Sequence, residues 1–260
     1  MTNARRYLFL SVLLCLGTTA AWASSVVVNT SLSTSVTISS SGTVVISLPV
    51  GVSTFAEALD TSGGFDASAS NPANAADSTL ADASGAGSAT GTTLTGSVTA
   101  NVNLPDNFNG EAYSEGDSDL SGTFEITGAP GSVNVTFSAS PSVSQSLDTT
   151  GPGGQSAYSY AIFTFTVAGV NSSNPILAYV NEPSIGPGVS QIYGSPSPLT
   201  DTESLSANTV YYFDASLDAE SDGVSIVPEP SSLSLVLTAF GLLAVLGRRL
   251  TRKLRPDGRG

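Results

Sequence analysis

Thr92-Thr-Leu-Thr-Gly-Ser-Val-Thr-Ala-Asn-Val-Asn-Leu104 is the stretch whose reading decides the fold class. Leu94, Val98, Ala100, Val102 and Leu104 share one parity, with polar residues between them. A period of two sends alternate side chains to opposite faces, so the stretch predicts a half-buried β-strand and not a helix. Gly96 falls where a bend or bulge fits. Pro105-Asp106-Asn107 closes the strand with turn formers.

The same texture extends in both directions. Residues 26–50 alternate and are rich in β-branched side chains, with Val36 and Ile38 on one face and Val44, Ile46 and Leu48 on another. Ser40-Ser41-Gly42 is the turn between them, and Pro49 and Gly51 end the second strand. Phe55–Leu59 reads as a short helical turn or an irregular strand. Phe124 and Ile126, the turn Gly128-Ala-Pro-Gly131, and Val133, Val135 and Phe137 predict a hairpin. Residues 157–170, with Tyr158, Tyr160, Ile162, Phe163, Phe165 and Val167, read as a central strand covered on both faces. A short strand follows at 176–180, then a Pro/Gly-rich loop over 183–198. Residues 209–217 form the last clear strand, and 223–227 add an edge.

Two segments look different. Residues 61–91 are Ser, Ala, Gly, Asn and Asp with almost no large apolar side chain, which predicts a long low-complexity loop. Residues 107–119 read as an acidic loop. No helical stripe longer than two turns occurs before Leu233. Many short strands separated by turn formers predict an all-β ectodomain over residues 24–226, an antiparallel β-sandwich of jelly-roll-like form.

Charge is sharply partitioned. All eight cations are terminal: Arg5, Arg6, Arg248, Arg249, Arg252, Lys253, Arg255 and Arg259. Of the 21 acidic residues, only Glu229 and Asp257 lie outside residues 24–227, and that region holds no Lys, Arg or His. Such a region repels polyanions, which excludes nucleic-acid binding, and it attracts divalent cations or cationic partners. Without His, Cys or Lys it has no triad base, thiol nucleophile or Schiff-base amine, and no enzyme activity is expected. Carboxylate pairs of the glycosidase kind stay open in principle, but the acids sit among small residues with little aromatic surface to raise a pKa. Cys15 is the one cysteine, so the chain beyond it has neither disulfides nor thiolate metal sites.

Both ends read as membrane or processing segments. Residues 1–23 fit a secretory signal peptide: Arg5 and Arg6, an apolar run over 7–17, and the small-x-small step Ala21-Trp22-Ala23 before Ser24. Export would use the Sec translocon and signal peptidase. At the other end stand Val227-Pro228-Glu229-Pro230, the uncharged Ser231–Gly247, and then Arg248-Arg249. The 17 uncharged residues span about 25 Å as a helix, just under the ~30 Å hydrocarbon core. Arg248 and Arg249 make up the difference by snorkelling and act as the stop-transfer signal, leaving residues 251–260 as a basic cytoplasmic tail. Pro228 and Pro230 fix φ and bias their predecessors toward extended geometry, so no helix runs back through the step.

This order over residues 227–250 resembles the PEP-CTERM sorting signal of Gram-negative bacteria. The resemblance implies that an exported protein is caught in the inner membrane by the C-terminal span and processed near Pro-Glu-Pro by an exosortase. It then passes to the cell surface or an extracellular exopolysaccharide matrix. The run from Leu250 to Gly260 is longer than the few basic residues usual there. The alternative is an ordinary single-pass anchored surface protein with a proline-containing stalk.

For the ectodomain the expectation is a structural or exopolysaccharide-associated surface component, with a carbohydrate-binding (lectin-like) or calcium-binding module as the alternative. Asp218-x-Glu220-x-Asp222-Gly223-x5-Glu229 fits much of an EF-hand loop, although the strand-like segment before it does not suit one. Weak calcium binding is expected there or at Glu115, Asp117 and Asp119, and no other cofactor is. Phe65, Phe108 and Tyr113, with Tyr193 behind them, are the candidate sugar-facing aromatics.

Overall fold

The computed structural model describes residues 25–61, 63–77, 80–106, 108–151, 154–169 and 175–226. Ala21, Ala23, Ser24, the step Val227 to Pro230, Arg248 and Arg249 therefore lie outside the described residues. The strands are β1 (Val26–Ser40), β2 (Thr43–Asp60), β3 (Phe65–Ser68), β4 (Ala73–Asp77), β5 (Ala81–Thr90), β6 (Thr93–Leu104), β7 (Gly110–Thr127) and β8 (Ser132–Ala139). They continue with β9 (Ser142–Thr149), β10 (Gln155–Val167), β11 (Leu177–Asn181), β12 (Ser184–Ile185), β13 (Ser190–Tyr193), β14 (Leu199–Ser206) and β15 (Val210–Ser225). Among the described residues there is no helix, and hence none long and apolar enough to cross a membrane.

The strands form two antiparallel sheets packed as a β-sandwich. The first runs β13-β9-β1-β6-β5-β4, with β8 on β1 and β14 on β8. The second runs β11-β10-β15-β7-β2-β3, with β12 on β10. The opening stretch becomes β6, and its five apolar residues are at most 1% exposed. Gly96 makes no bulge there. It stays in register with Thr34 and Gly87, and a Cβ on it would stand 2.8 Å from Leu217 Cδ1 of the opposite sheet.

Several expectations change once the sheets are assembled. The arms at 124–126 and 133–137 are not a hairpin, because β7 and β8 belong to different sheets. Their apolar residues face each other across the core: Phe124 and Phe137 meet edge-to-face with centroids 6.1 Å apart. Ser41-Gly42 likewise carries the chain from one sheet to the other. Pro49 does not end β2. The register with β7 shifts between Ser47 and Gly51, and pairing then continues through Phe55–Leu59 to Asp60. β10 buries one face only, since Tyr158, Tyr160 and Ile162 point outward and are half-buried. Residues 209–217 and 223–225 are one strand, β15, which lies inside its sheet between β10 and β7.

The largest correction concerns residues 61–91, expected as a loop and found to hold β3, β4 and β5. These strands need no large side chains to be stable. Here Ala73, Ala75, Ala81 and Ala83 are buried against Ala56, Ala58 and Ala112 of the opposite sheet. Small residues bring the two backbones together, so contact replaces side-chain bulk. The acidic segment expected as a loop is strand from Gly110 onward for the same reason. Its buried parity is Ala112, Ser114, Gly116, Ser118 and Leu120, all but the last small.

The core therefore has two parts. One is built on large side chains, among them Phe124, Phe137, Phe163, Phe165 and Phe213. The other is alanine-rich. Where the sheets come close, buried hydroxyls satisfy one another: Thr30 Oγ1 lies 2.6 Å from Ser159 Oγ and 2.7 Å from Ser221 Oγ. Ser221 donates to the Ala100 carbonyl at 2.8 Å, and Gln145 Nε2 donates to Ser159 Oγ at 2.8 Å. Buried polar groups are tolerated when paired in this way.

Candidate functional site: a carboxylate and aromatic face on the second sheet

Alternation puts the acids of β7 and β15 on the outside. Their inward neighbours Ser114, Ser118, Ala219 and Ser221 are fully buried, so Glu115, Asp117, Asp119, Asp218, Glu220 and Asp222 must face away from the core. Strand register then sets like beside like. Asp218 pairs with Asp117 and Glu220 with Glu115, while Glu57 of β2 flanks Glu115 on its other side. Directly opposed side chains stand about 4.5–5.5 Å apart at Cβ, where like charges repel.

The two patches singled out in the sequence thus meet in space. One carboxylate oxygen from each of Glu115, Asp117 and Asp218 lies within 4.8 Å of the other two. Asp119 continues the row on β7 and does not join this trio. The EF-hand reading of Asp218, Glu220 and Asp222 is overturned, because the three lie along the extended β15 and not in a loop. Alternate residues of a strand stand about 6.7 Å apart, so they cannot converge on one ion as loop ligands do. Asp218 instead converges with residues across the strand pair.

Burial and crowding act together on protonation. Asp218 is pushed up to about 7, by desolvation first and then by the charges of Asp117, Glu115, Glu220 and Asp119. Asp117 is pushed up to about 6, by desolvation and then by Glu115 and Asp119. Glu220 and Asp222 are raised as well, desolvation leading in each, with Glu115 and Asp222 acting on the first and Glu111 on the second. Tyr113 donates its hydroxyl to Glu115 Oε2 at 2.5 Å, and its own ionisation is pushed far up by burial and by that bond. Asp218 Oδ1 and Asp222 Oδ1 are buried with no hydrogen-bond partner.

Aromatic side chains border the acids. Register aligns Phe65, Leu59, Tyr113, Asp222 and Tyr158 in one row across five strands counted from β3 to β10, with Tyr160 beside Glu220 in the next. Phe65 is 67% exposed. The sequence candidates Phe65 and Tyr113 therefore share a surface. Phe108 and Tyr193 do not: both pack against the alanine-rich core cluster, and the Tyr193 hydroxyl is held by Gln191. Tyr158 and Tyr160 were missed, having been assigned to a strand covered on both faces. Their parity opposite to Phe163 and Phe165 is the signal that would have placed them outside.

No family model, no curated protein and no solved structure matches this chain. The chemistry of the face follows from its own residues. It offers hydrogen-bond acceptors, aromatic surface and unneutralised negative charge. It offers no cationic group, thiol or imidazole.

Proposed function

We propose that this chain is an exported surface or extracellular-matrix protein, sorted by a PEP-CTERM signal over residues 227–250 and processed by an exosortase. Its mature part serves a structural or exopolysaccharide-associated role without catalysis. The observation that carries the reading is the order Val227-Pro228-Glu229-Pro230, uncharged Ser231–Gly247, Arg248-Arg249. Support comes also from the leader before Ser24 and from the absence of Lys, Arg, His and Cys between the two segments. The repeated crossing of the chain between sheets supports the jelly-roll-like form of the sandwich. Intact-mass measurement on surface-localised protein should find the chain beginning at Ser24 and lacking residues 231–260. A surface form still carrying Gly260 overturns the sorting and leaves a plain single-pass anchor.

A second reading, a calcium-dependent or lectin-like surface module, is favoured by the face on the second sheet. Glu115, Asp117 and Asp218 would supply carboxylate oxygens to a calcium ion, with water completing the six to eight ligands the ion takes, which makes the site weak. Tyr113, Tyr158 and Phe65 would stack on sugar rings beside it. Calcium at millimolar concentration should raise the melting temperature at pH 8 by a few degrees, through binding to the native state alone. The effect should disappear in Asp218→Asn, and no shift in the parent protein sinks the calcium reading. Polysaccharide pull-down lost on Tyr113→Ala would support the lectin-like one.

A further inference from the structure

The outer face of the first sheet is unlike that of the second. β1, β6 and β5 run side by side, and their outward parity is almost all hydroxyl and amide, with Asp82 its one charge and no aromatic. Midway along them opens a groove of about 550 Å³, edged by Ser33, Ser35, Ser88, Thr95, Ser97 and Ser140. Its floor is the backbone of Thr34, Gly96 and Gly87, which stand in one row across the three strands. The two glycines set its depth. A Cβ on Gly96 would stand 2.8 Å from Leu217 Cδ1, and one on Gly87 2.9 Å from Ser118 Oγ, both on the second sheet. The first sheet therefore dips toward the second here, and the dip is the groove. Two further rows, Ser31-Thr99-Ser84 and Asn29-Asn101-Asp82, carry the polar track along the strands. With about 6.7 Å between alternate residues, the rows from Ser35 to Asn29 make it roughly 20 Å long and, over three strands, about 10 Å wide.

The lining selects one class of occupant. A hydroxyl both donates and accepts, so it pairs with another hydroxyl in either sense. An anionic ligand finds no Lys, Arg or His among the described residues to take a carboxylate, sulfate or phosphate. A protein partner finds no apolar core to bury, because β1, β5 and β6 contribute none of the large exposed hydrophobic side chains. The short side chains also have little rotamer freedom to lose on binding. We propose that the groove binds a neutral polysaccharide, laid along β1, β6 and β5 and held through its hydroxyls. This deepens the exopolysaccharide-associated reading above and rests on it. Each neutral hydrogen bond contributes little net, so strength comes from repetition along a chain, and the polymer binds where its monosaccharide does not. The track is separate from the carboxylate and aromatic face, which lies on the other sheet.

The test is native gel electrophoresis of the full-length chain in mild detergent, with dextran or hydroxyethylcellulose as the neutral polymer and alginate as the anionic one. At least one neutral polymer should retard the chain, equally at low and high salt, since no fixed charge takes part. Alginate should not. Ser33→Ala/Thr95→Val/Ser97→Ala changes three exposed positions, so it should melt near the parent and bind about tenfold more weakly or worse. Thr136→Val/Thr202→Val removes hydroxyls of β8 and β14 off the track and should bind as the parent does. Undiminished retardation of the triple variant overturns the groove while the exopolysaccharide-associated reading stands. Retardation by alginate overturns the neutral class. A parent chain that no polymer retards overturns both the groove and the reading.

Discussion

Gly116→Ala is expected to lower stability by about 3 kcal/mol or more, and Gly116→Val to abolish folding, as overpacking against immovable atoms does. A Cβ at this position would stand 2.5 Å from the Ser84 carbonyl oxygen and 2.6 Å from that of Thr99. Both are backbone atoms of the opposite sheet, on β5 and β6, so no rotamer change relieves the contact. Gly85 meets Gly116's own strand in the same way, with a Cβ 2.0 Å from the Asp117 carbonyl oxygen. The two sheets can separate only by giving up the packing of the alanine-rich cluster. Gly194→Ala is the matched control, since nothing lies within 4 Å of a Cβ there, and it should change stability by less than about 0.5 kcal/mol. Thermal melts followed by circular dichroism decide the matter. A Gly116→Ala variant melting with the parent would mean that the sheets are not in contact there.

Acidification should stabilise this protein from pH 8 down to about pH 5, the reverse of ordinary acid denaturation. Asp218 and Asp117 titrate at about 7 and about 6 when folded, against an ordinary value of 3.8. The native state therefore binds protons more tightly than the unfolded chain. For a carboxyl raised in this way the penalty is absent below pH 3.8. It grows between 3.8 and the folded value, and is complete above about pH 7. At one pKa unit per 1.36 kcal/mol the two shifts would be large. Both groups are partly solvated and coupled to each other, which screens the effect to on the order of 1–2 kcal/mol. For a domain of this size that is a gain of about 2–8 °C in melting temperature between pH 8 and pH 5. Asp218→Asn should raise the melting temperature at pH 8 and remove most of the pH dependence. A melting temperature that falls on acidification over this range would show that the two carboxyls are less desolvated and less crowded than their positions require.

Strand identity was legible wherever large apolar residues alternate. β1, β6 and the first half of β15 follow from Val36, Leu94, Val98 and Phe213 alone, because period two with one buried face has a single solution. Legibility failed where the buried parity is alanine, serine or glycine, as in β5 and the first half of β7. There the apolar signal is too small to detect, and only the closeness of the opposite sheet makes such strands stable. The candidate face was half visible. Asp117 and Asp218 each stood out as acids in a row, but their pairing depends on the register of β7 against β15, which local sequence does not encode.

The amino-acid sequence by itself determined the all-β class, the total absence of countercharge between Ser24 and Val227, and the order of residues 227–250, a proline step, an uncharged run and an arginine pair. These are properties of composition and of local pattern, and they need no partner strand to be read. Only the tertiary structure decided which strands share a sheet. It turned an apparent hairpin at 128–131 into a crossing, put a low-complexity segment into the core, and brought Glu115, Asp117 and Asp218 together. Each of those outcomes depends on distances between residues far apart in the chain. Such distances are set by how closely two backbones approach, and here glycine and alanine set that approach.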